Sequence, residues 1–337
     1  MTWIGCEGVS QSGRARTPLF LSDAITPYLS ALAWPGRLAF FVDAPPIDNQ
    51  AMQADRLTTR PRYARVLSIA GSDSGGGAGI QADLKTFSAL GCFGMTAITA
   101  LTAQNTVGVS GIHAVPPQFL KAQLCAVLDD IGVDAVKIGM LHAPEIVRVV
   151  AWAIDHYRIA HVVLDPVMVA TSGDRLIEEA TVDVLRHELF PRASVITPNL
   201  DEAALLLGRP LASQADLDQA ASDLLAQGAR AVLLKGGHLP GNQVVDVLAT
   251  AAQPWLRLSS PRIPSLNVHG TGCTLSSAIA SYLARGLDLP QAVERGRDFV
   301  LQAIRCGADV QTGRGHGPLC HGHAPVPMVT TPTPAAS

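Results

Sequence analysis

The chain has 337 residues, of which 48% are hydrophobic and 16% are charged, so a large buried core is expected and a wholly disordered chain is excluded. The net charge is −3 and the basic residues are scattered, which argues against a nucleic-acid-binding surface. No apolar run reaches the roughly 18 residues of a membrane span, so no membrane partner is expected. The six cysteines contain no C-x-x-C pair, which favours a reduced, cytoplasmic protein.

The two ends of the chain differ from its middle. Residues 1–62 contain Pro35, Pro45, Pro46 and Pro61 and few periodic segments, so we expect a poorly ordered N-terminal extension. Residues 322–337 are rich in proline and threonine, and we expect a disordered C-terminal tail. The folded domain is therefore predicted to span residues 63–321.

Within this domain, strands and helices alternate. Short runs rich in β-branched residues predict strands at 65–70, 95–101, 135–138, 161–165, 194–197 and 231–235. Amphipathic segments predict helices at 81–90, 117–130, 144–157, 271–285 and 290–306. Continuous apolar strands joined by helical crossovers are typical of a mostly parallel sheet that is covered on both faces. The fold class is therefore α/β.

Polar or glycine-rich residues follow each predicted strand. The segments are G-S-D-S-G-G-G-A-G, A-Q-N, G-M-L, D-P-V-M, T-P-N-L-D-E and K-G-G-H. Because open parallel sheets bind ligands at the carboxyl ends of their strands, these segments are expected to line a single crevice.

The first of these segments, residues 71–83, is a glycine-rich loop that leads into a helix. Residues 77–82 match the dinucleotide pattern G-x-G-x-x-G/A, so an NAD(P)-dependent dehydrogenase has to be considered. Two features count against it, because the loop is long and the second strand ends in Ala103-Gln104-Asn105 without the ribose-binding acid. A P-loop is excluded because no G-K-[ST] follows.

Two polar residues near this loop are candidates for ligand recognition. Asp83, one turn into the first helix, could accept a hydrogen bond from a substrate amino group, or could only complement the helix dipole. Gln104 offers both a donor and an acceptor, as the edge of a heterocycle requires.

Acidic and basic residues at three later strand ends suit a magnesium–phosphate site. Asp165 ends a buried strand, and Asn199 and Glu202 follow the next one. Lys235 ends a further strand and is followed by two glycines, which suits a phosphate contact. The structural alternatives are a capping box for Asn199 and Glu202 and a surface-reaching lysine at position 235.

The segment H-G-T-G-C-T-L-S, residues 269–276, opens a helix that can receive an anion. Thr271 is the expected N-cap and Gly286 the expected stop. The amides of Gly272, Cys273 and Thr274 then lack intrahelical partners, at the positive end of the helix dipole. The alternative is an ordinary capped helix.

Taken in order, these motifs resemble one family closely. A-G-S-D-S-G-G-G-A-G-I-Q-A-D-L-K-T-F, T-A-L-T-A-Q-N-T, K-I-G-M-L, V-L-D-P-V-M, T-P-N-L-D-E-A, L-K-G-G-H and H-G-T-G-C-T-L-S look like those of bacterial hydroxymethylpyrimidine/phosphomethylpyrimidine kinases of thiamine biosynthesis. This family belongs to the ribokinase-like superfamily, and the resemblance runs from about residue 65 to 321. It implies a ribokinase-like three-layer α/β/α sandwich, ATP and Mg²⁺ as cofactors, and a homodimer.

The resemblance also assigns roles to residues. The pyrimidine is expected to contact Gly71, Asp83, Thr102, Gln104, Met140, Val167 and Cys273. Asp165, Asn199, Glu202 and Lys235 are expected to hold Mg²⁺ and ATP, with Asp165 and Glu202 nearest the metal. The amides of Gly270, Thr271, Gly272 and Cys273 are expected to form the anion hole. Thr102 departs from the family pattern, in which an apolar residue is common.

The implied reaction moves the ATP γ-phosphoryl group to 4-amino-5-hydroxymethyl-2-methylpyrimidine and then to its monophosphate. Most superfamily members carry Asp where this chain has Cys273, and we hypothesise that a neutral thiol avoids repelling the second, anionic acceptor. The helix dipole is expected to lower the thiol pKa from about 8.5. The alternatives are a pyridoxal kinase of the same superfamily and a non-catalytic pyrimidine-binding protein.

Overall fold

A nine-stranded sheet forms the centre of the described part of the chain, in the strand order β10-β9-β8-β7-β6-β5-β2-β3-β4. The computed structural model describes residues 60–168, 177, 179–211, 213–251 and 255–331, all within the compact unit Asp55–Ser337. The strands are β1 Arg62–Tyr63, β2 Arg65–Asp73, β3 Phe93–Gln104, β4 Val109–Ala114, β5 Ala135–Ile138, β6 Val162–Leu164, β7 Val195–Ile196, β8 Ala231–Leu234, β9 Gln243–Thr250, β10 Leu256–Pro261 and β11 Thr330–Thr331.

Helices cover both faces of this sheet. They are α1 Gly79–Ala89, α2 Pro117–Asp130, α3 Pro144–His156, α4 Glu179–Leu189, α5 Leu200–Leu207, α6 Asp216–Ala226, α7 Thr271–Ala284 and α8 Leu289–Gly307. Alternate residues of β2 point to opposite faces, so Val66 packs in one core with Ile279 of α7, while Leu67 packs in the other with Leu120 of α2. The predicted three-layer α/β/α sandwich is confirmed.

The parallel part of the sheet consists of the six strands predicted from the sequence. Strand β2 pairs in parallel with β3 on one side and with β5 on the other, and β5 continues through β6 and β7 to β8. The chain thus reverses its direction of travel across the sheet next to β2. This switch point leaves a crevice beyond the carboxyl ends of the strands, which is where open α/β sheets bind ligands.

Antiparallel strands close the two edges of the sheet. β4 pairs with β3, and the β9–β10 hairpin pairs with β8. The described helices include none that is both long and apolar enough to cross a membrane.

The chain ends are ordered further than the sequence indicated. Residues 330–331, in the predicted disordered tail 322–337, form β11 and pair with β1, which begins inside the predicted extension 1–62. The amide of Val329 donates to Gly91 O at 2.7 Å and Val329 O accepts from Ala64 at 3.1 Å. Backbone pairing thus holds part of this segment although it lacks an apolar pattern. Residues 1–59 and 332–337 lie outside the described residues.

Candidate active site

A cavity of about 830 Å³ lies over the carboxyl ends of the parallel strands. All but one of the predicted site residues line it, the exception being Asp83. The lining residues among them are Gly71, Thr102, Gln104, Met140, Asp165, Val167, Asn199, Glu202, Lys235, Gly270, Thr271, Gly272 and Cys273. The expectation that several strand ends form one crevice is confirmed.

Helix α7 points its N-terminus into this cavity, although its first turn differs from the prediction. The N-cap is Gly270 rather than Thr271, and the Thr271 hydroxyl donates to Val268 O at 2.6 Å. The amides of Thr271 and Thr274 donate to Val268 O and Gly270 O, so they are not available to a ligand. In the part of the chain that the structure describes, the amides of Gly272 and Cys273 have no acceptor. These two amides form the open anion hole.

Glycine is required at the start of this helix. Gly270 has φ +83°, and a Cβ there would lie 1.9 Å from Gly77 O in the glycine-rich loop. A Cβ on Gly272 would lie 3.1 Å from Lys235 Nζ and 3.5 Å from Asp165 Oδ2. The anion hole is thus packed on the glycine-rich loop and faces a lysine and a carboxylate.

The charged residues predicted for magnesium and phosphate lie together. Lys235 Nζ is 2.9 Å from Asp165 Oδ1 and 3.9 Å from Glu202 Oε2. Burial would raise the pKa of Asp165, but Lys235 and Lys137 outweigh it, so the net shift is downward. Burial would lower the pKa of Lys235, yet Asp165 and Glu202 raise it. A carboxylate and an ammonium group therefore both stay charged at the cavity floor.

Glu202 combines a structural role with a place in the cavity wall. Its Oε2 accepts from the Asn199 amide at 2.8 Å and Asn199 Oδ1 accepts from the Glu202 amide at 2.9 Å, which is a capping box. Burial raises the pKa of Glu202 to about 7, with Asp165 adding to the rise and Lys235 opposing it. The two sequence interpretations of Asn199 and Glu202 are thus compatible.

Replacing Glu202 with glutamine is expected to remove a pH-dependent destabilisation. The folded chain keeps the Glu202 proton up to about pH 7, whereas the unfolded chain loses it near the ordinary value of 4.5. The contribution of Glu202 to the free energy of unfolding therefore falls as the pH rises between these values. Chemical unfolding of both proteins at about pH 5 and 8, without added metal, should show a stability difference that shifts in favour of Glu202→Gln at the higher pH.

In the difference between the two free energies of unfolding, the contributions of the titrating groups that both proteins share cancel. His321 is one of them, because burial lowers its pKa to about 4 and gives the opposite trend. A stability difference that is equal at both pH values would show that Glu202 titrates normally.

Asp83 is the predicted site residue that the structure places elsewhere. Its side chain is fully buried beneath the cavity, where it accepts from Ser68 Oγ at 2.5 Å, Ser277 Oγ at 2.7 Å and Lys137 Nζ at 2.9 Å. These donors occupy the carboxylate, and Asp83 is not among the residues that line the cavity, so its role as an acceptor for a substrate amino group stays a prediction. Asp83 fixes the positions of a lysine and of helix α7.

Lys137, in the middle of strand β5, was not singled out from the sequence. It is fully buried, lines the cavity floor and forms an ion pair with Asp83. A Cβ on Gly139 would lie 3.0 Å from Lys137 Nζ, so glycine leaves room for the ammonium group. The sequence signal was a charged residue inside an otherwise apolar strand, because a buried charge needs a partner.

Cys273 lies beside this ion pair, and its ionisation differs from the prediction. Burial raises the pKa of the thiol to about 11, although Lys137 and the Gly79 amide oppose the rise. The expectation that the helix dipole would lower this pKa is therefore wrong, since desolvation of the thiolate outweighs the dipole. At neutral pH the sulfur is a neutral thiol.

The opposite side of the cavity carries Gln104, Thr102 and two residues that the sequence reasoning gave no role. His269 Nε2 lies 3.0 Å from Asp73 Oδ2 and 3.4 Å from Gln104 Nε2. Gln104 Oε1 lies 3.0 Å from the Thr102 hydroxyl. His269 could have been found as the residue directly before the helix-opening glycine, and Asp73 as the acid inside the glycine-rich loop.

An apolar surface completes this side. A Cβ on Gly71 would lie 2.6 Å from Met140 Cε, so the absence of a side chain at position 71 lets Met140 occupy the cavity wall. Val167 follows Asp165 in a tight turn, with its amide donating to Asp165 O at 2.8 Å. The chemistry of this half suits a flat ring with one polar edge.

Comparison with known proteins agrees with this geometry. The sequence model of the family described as phosphomethylpyrimidine kinase matches residues 73–320. A hydroxymethylpyrimidine/phosphomethylpyrimidine kinase of Rhizobium meliloti is 48% identical over 261 residues, which cover 77% of this chain and 97% of that protein. The thiamine biosynthesis bifunctional protein ThiED of Geobacter sulfurreducens is 51% identical over 271 residues, which cover 80% of this chain but 54% of that protein.

Solved structures show the same fold. A phosphomethylpyrimidine kinase of Clostridium difficile 630 has a TM-score of 0.63 and 42% identity, covering 71% of this chain and 99% of that chain. An ADP complex of Bacillus subtilis pyridoxal kinase has a TM-score of 0.71 and 37% identity, covering 77% of this chain and 98% of that chain. The matched sequence, fold and site together show that this chain belongs to the phosphomethylpyrimidine kinase family.

Proposed function

We propose that this chain transfers the γ-phosphoryl group of ATP to 4-amino-5-hydroxymethyl-2-methylpyrimidine and, in a second round, to the resulting monophosphate. The observation that carries the proposal is the meeting, in one cavity, of the free amides of Gly272 and Cys273 with Lys235, Asp165 and Glu202. Phosphoryl transfer consists mostly of positioning and charge stabilisation, and these groups supply both.

The residues of the floor fit a magnesium ion. Asp165 and Glu202 are buried carboxylates that both lie near Lys235, and among the described residues the one hydrogen bond to Asp165 Oδ2 comes from Ser276 Oγ at 3.3 Å. Carboxylate oxygens are the ligands Mg²⁺ prefers, and an added cation would favour the ionised form of Glu202. Asp165 and Glu202 would hold the ion, and the ion would neutralise charge on the phosphate oxygens.

Different parts of the cavity bind the transferring phosphoryl group, the pyrimidine and the nucleotide base. The amides of Gly272 and Cys273 bind the oxygens of the transferring group, and Lys235 neutralises their charge. Gln104 presents a donor and an acceptor to the pyrimidine edge, with Met140 against the ring. Apolar side chains, among them Ile263 and Val300, line the far end, which suits a nucleotide base.

Cys273 is expected to matter more for the second acceptor than for the first. A thiol with a pKa near 11 is neutral beside a substrate phosphate, whereas a carboxylate at this position would repel that phosphate. In Cys273→Asp, kcat/KM for the monophosphate should fall about tenfold further than kcat/KM for the alcohol, which is the effect of about 1.4 kcal/mol of repulsion. The measurement is the steady-state rate of each step with purified pyrimidine acceptors.

Cys273→Ala is the matched control, because it removes the thiol without adding charge. It should lower the two steps by similar factors. If Cys273→Asp leaves the second step unimpaired, the charge argument is wrong.

Pyridoxal phosphorylation is the second candidate activity. It is favoured by the likeness to the Bacillus subtilis pyridoxal kinase and to a Staphylococcus aureus enzyme solved with pyridoxal, the latter at 35% identity and a TM-score of 0.71. Purified protein should be assayed with ATP and each acceptor separately. A higher kcat/KM for pyridoxal than for the pyrimidine would overturn the proposed substrate.

We further propose a homodimer in a reducing, cytoplasmic compartment. Exposed apolar side chains on the β3–β4 edge, Leu101, Val107 and Ile112, support a surface that a second copy covers. The cysteines of the described residues are unpaired, which supports a reducing compartment. Sedimentation equilibrium should give twice the chain mass of 35.3 kDa, and a single-chain mass would exclude the dimer.

A further inference from the structure

Asp73 and His269 form a nearly buried contact beside Gln104 that the phosphoryl-transfer reaction itself does not use. Asp73 Oδ2 lies 3.0 Å from His269 Nε2, and the two side chains are 3% and 11% exposed. The Asp73 carboxylate also accepts from the amides of Gly75, Gly77 and Ala78 at 2.8, 3.0 and 2.8 Å. It is therefore held firmly in the glycine-rich loop.

This contact fixes the proton on the facing nitrogen of His269. Burial would raise the pKa of Asp73, but the hydrogen bonds from His269 and from the amides of Ala78 and Gly75 outweigh it, so the pKa is lowered. Asp73 is thus an ionised carboxylate, which only accepts hydrogen bonds. His269 Nε2 therefore carries a hydrogen and donates it.

The hydrogen on His269 Nε2 in turn determines whether Oε1 or Nε2 of Gln104 faces the imidazole. Gln104 Nε2 lies 3.4 Å from His269 Nε2, which sets two donors against each other. The two ends of an amide have the same shape, so the partners decide the orientation. A half-turn places Oε1 at the His269 N–H, which it shares with Asp73 Oδ2, and lets one Nε2 hydrogen reach the Thr102 hydroxyl oxygen. That hydroxyl donates onward to Ser72 O at 2.9 Å, so two donors no longer face each other, and the second Nε2 hydrogen is left for a ligand.

We propose that His269, held by Asp73, is a positioning residue that locks the Gln104 amide in this one orientation and so makes the cavity select a 4-aminopyrimidine over a 4-oxopyrimidine. The edge of the aminopyrimidine carries a donor at the 4-amino group and an acceptor at N3, whereas the oxo compound carries the reverse. An amide locked with Oε1 towards the 4-amino group and Nε2 towards N3 binds the aminopyrimidine and not the oxo compound. A freely turning amide binds either compound. The inference rests on the proposed pyrimidine substrate.

The packing around His269 supports a fixed ring. A Cβ on Gly77 would lie 2.4 Å from His269 Cδ2, so the loop backbone closes directly on the imidazole. The His269 amide donates to Gly317 O at 3.1 Å, which fixes the backbone just before the N-cap Gly270. Ring recognition and the anion hole are thus held by consecutive residues.

The test compares kcat/KM for the 4-amino substrate with kcat/KM for its 4-oxo analogue, 5-hydroxymethyl-2-methylpyrimidin-4-one. His269→Phe keeps a planar ring but loses the N–H, and the preference for the amino compound should fall about tenfold or more, as expected for one lost hydrogen bond. His269→Gln carries an N–H at a similar reach and should retain most of the preference. An equal loss of kcat/KM for both compounds in His269→Phe would overturn the proposal, as would a loss of preference in His269→Gln as large as in His269→Phe.

Thr102→Val is the second variant, and it tests the proposal if His269→Phe does not fold. It removes the hydroxyl that receives the Gln104 amide hydrogen, so the preference for the 4-amino compound should again fall. An unchanged preference would overturn the proposed orientation of the Gln104 amide. A parent protein that phosphorylates both compounds equally well also overturns it. If the parent protein phosphorylates neither compound, the proposed function itself is contradicted. That result differs from the outcomes that overturn only the role of His269.

Discussion

Replacing Lys235 with methionine is expected to lower kcat about 100- to 1000-fold, the effect of removing one group that stabilises the charge of a transition state. Lys235 Nζ lies next to the position where a side chain on Gly272 would begin, and therefore beside the open amides of helix α7. Methionine keeps the length and much of the volume of the side chain and removes the charge together with the hydrogen bond to Asp165 Oδ1. Steady-state kinetics with ATP and the pyrimidine alcohol provide the measurement.

Two controls separate this effect from a general loss of structure. Lys121→Met removes an ammonium group that stacks 4.1 Å from the centre of the Trp152 ring and has no place in the cavity, so kcat should be unchanged. Lys235→Arg keeps a positive charge and should retain more activity than Lys235→Met. A kcat for Lys235→Met within about threefold of the parent value would show that Lys235 does not act on the transferring group.

Lys137→Met is expected to destabilise the fold by about 3–5 kcal/mol, because it leaves the carboxylate of Asp83 buried without its charge partner. The pair has no exposed surface on either side chain, so water cannot replace the lost ammonium group. Chemical unfolding should show the loss as a lower midpoint at an unchanged slope.

The double variant Asp83→Asn with Lys137→Met is the matched comparison. It removes both charges together, and most of the lost stability should return, because no unpaired charge remains. A double variant that is as unstable as Lys137→Met would mean that the packing of the lysine stem, rather than the charge on Asp83, causes the loss.

The parallel strands of this site, and the polar residues at their carboxyl ends, could be predicted from the sequence because both follow from local patterns. The parallel strands were visible as short runs of β-branched residues, and their carboxyl ends meet whatever the details of packing. The positions of Asp165, Glu202 and Lys235 in one cavity followed from this rule alone. The antiparallel edge strand β4 was missed, since nearly all its residues are exposed and carry no strong apolar pattern.

The errors concern side chains whose surroundings come from distant parts of the chain. Asp83 and Lys137 are 54 residues apart, and the packing of helix α1 against the sheet makes them neighbours. The thiol pKa of Cys273 depends on how deeply the helix start is buried, which the helix-dipole argument ignores. Asp73 and His269 are 196 residues apart, so no local motif indicated their contact.

The direct test of the proposed function is a product analysis with purified protein, excess ATP and 4-amino-5-hydroxymethyl-2-methylpyrimidine. The monophosphate should appear first and the diphosphate later, with two ADP formed for each pyrimidine diphosphate. A reaction that stops at the monophosphate, or phosphorylation of pyridoxal alone, would contradict the proposed function.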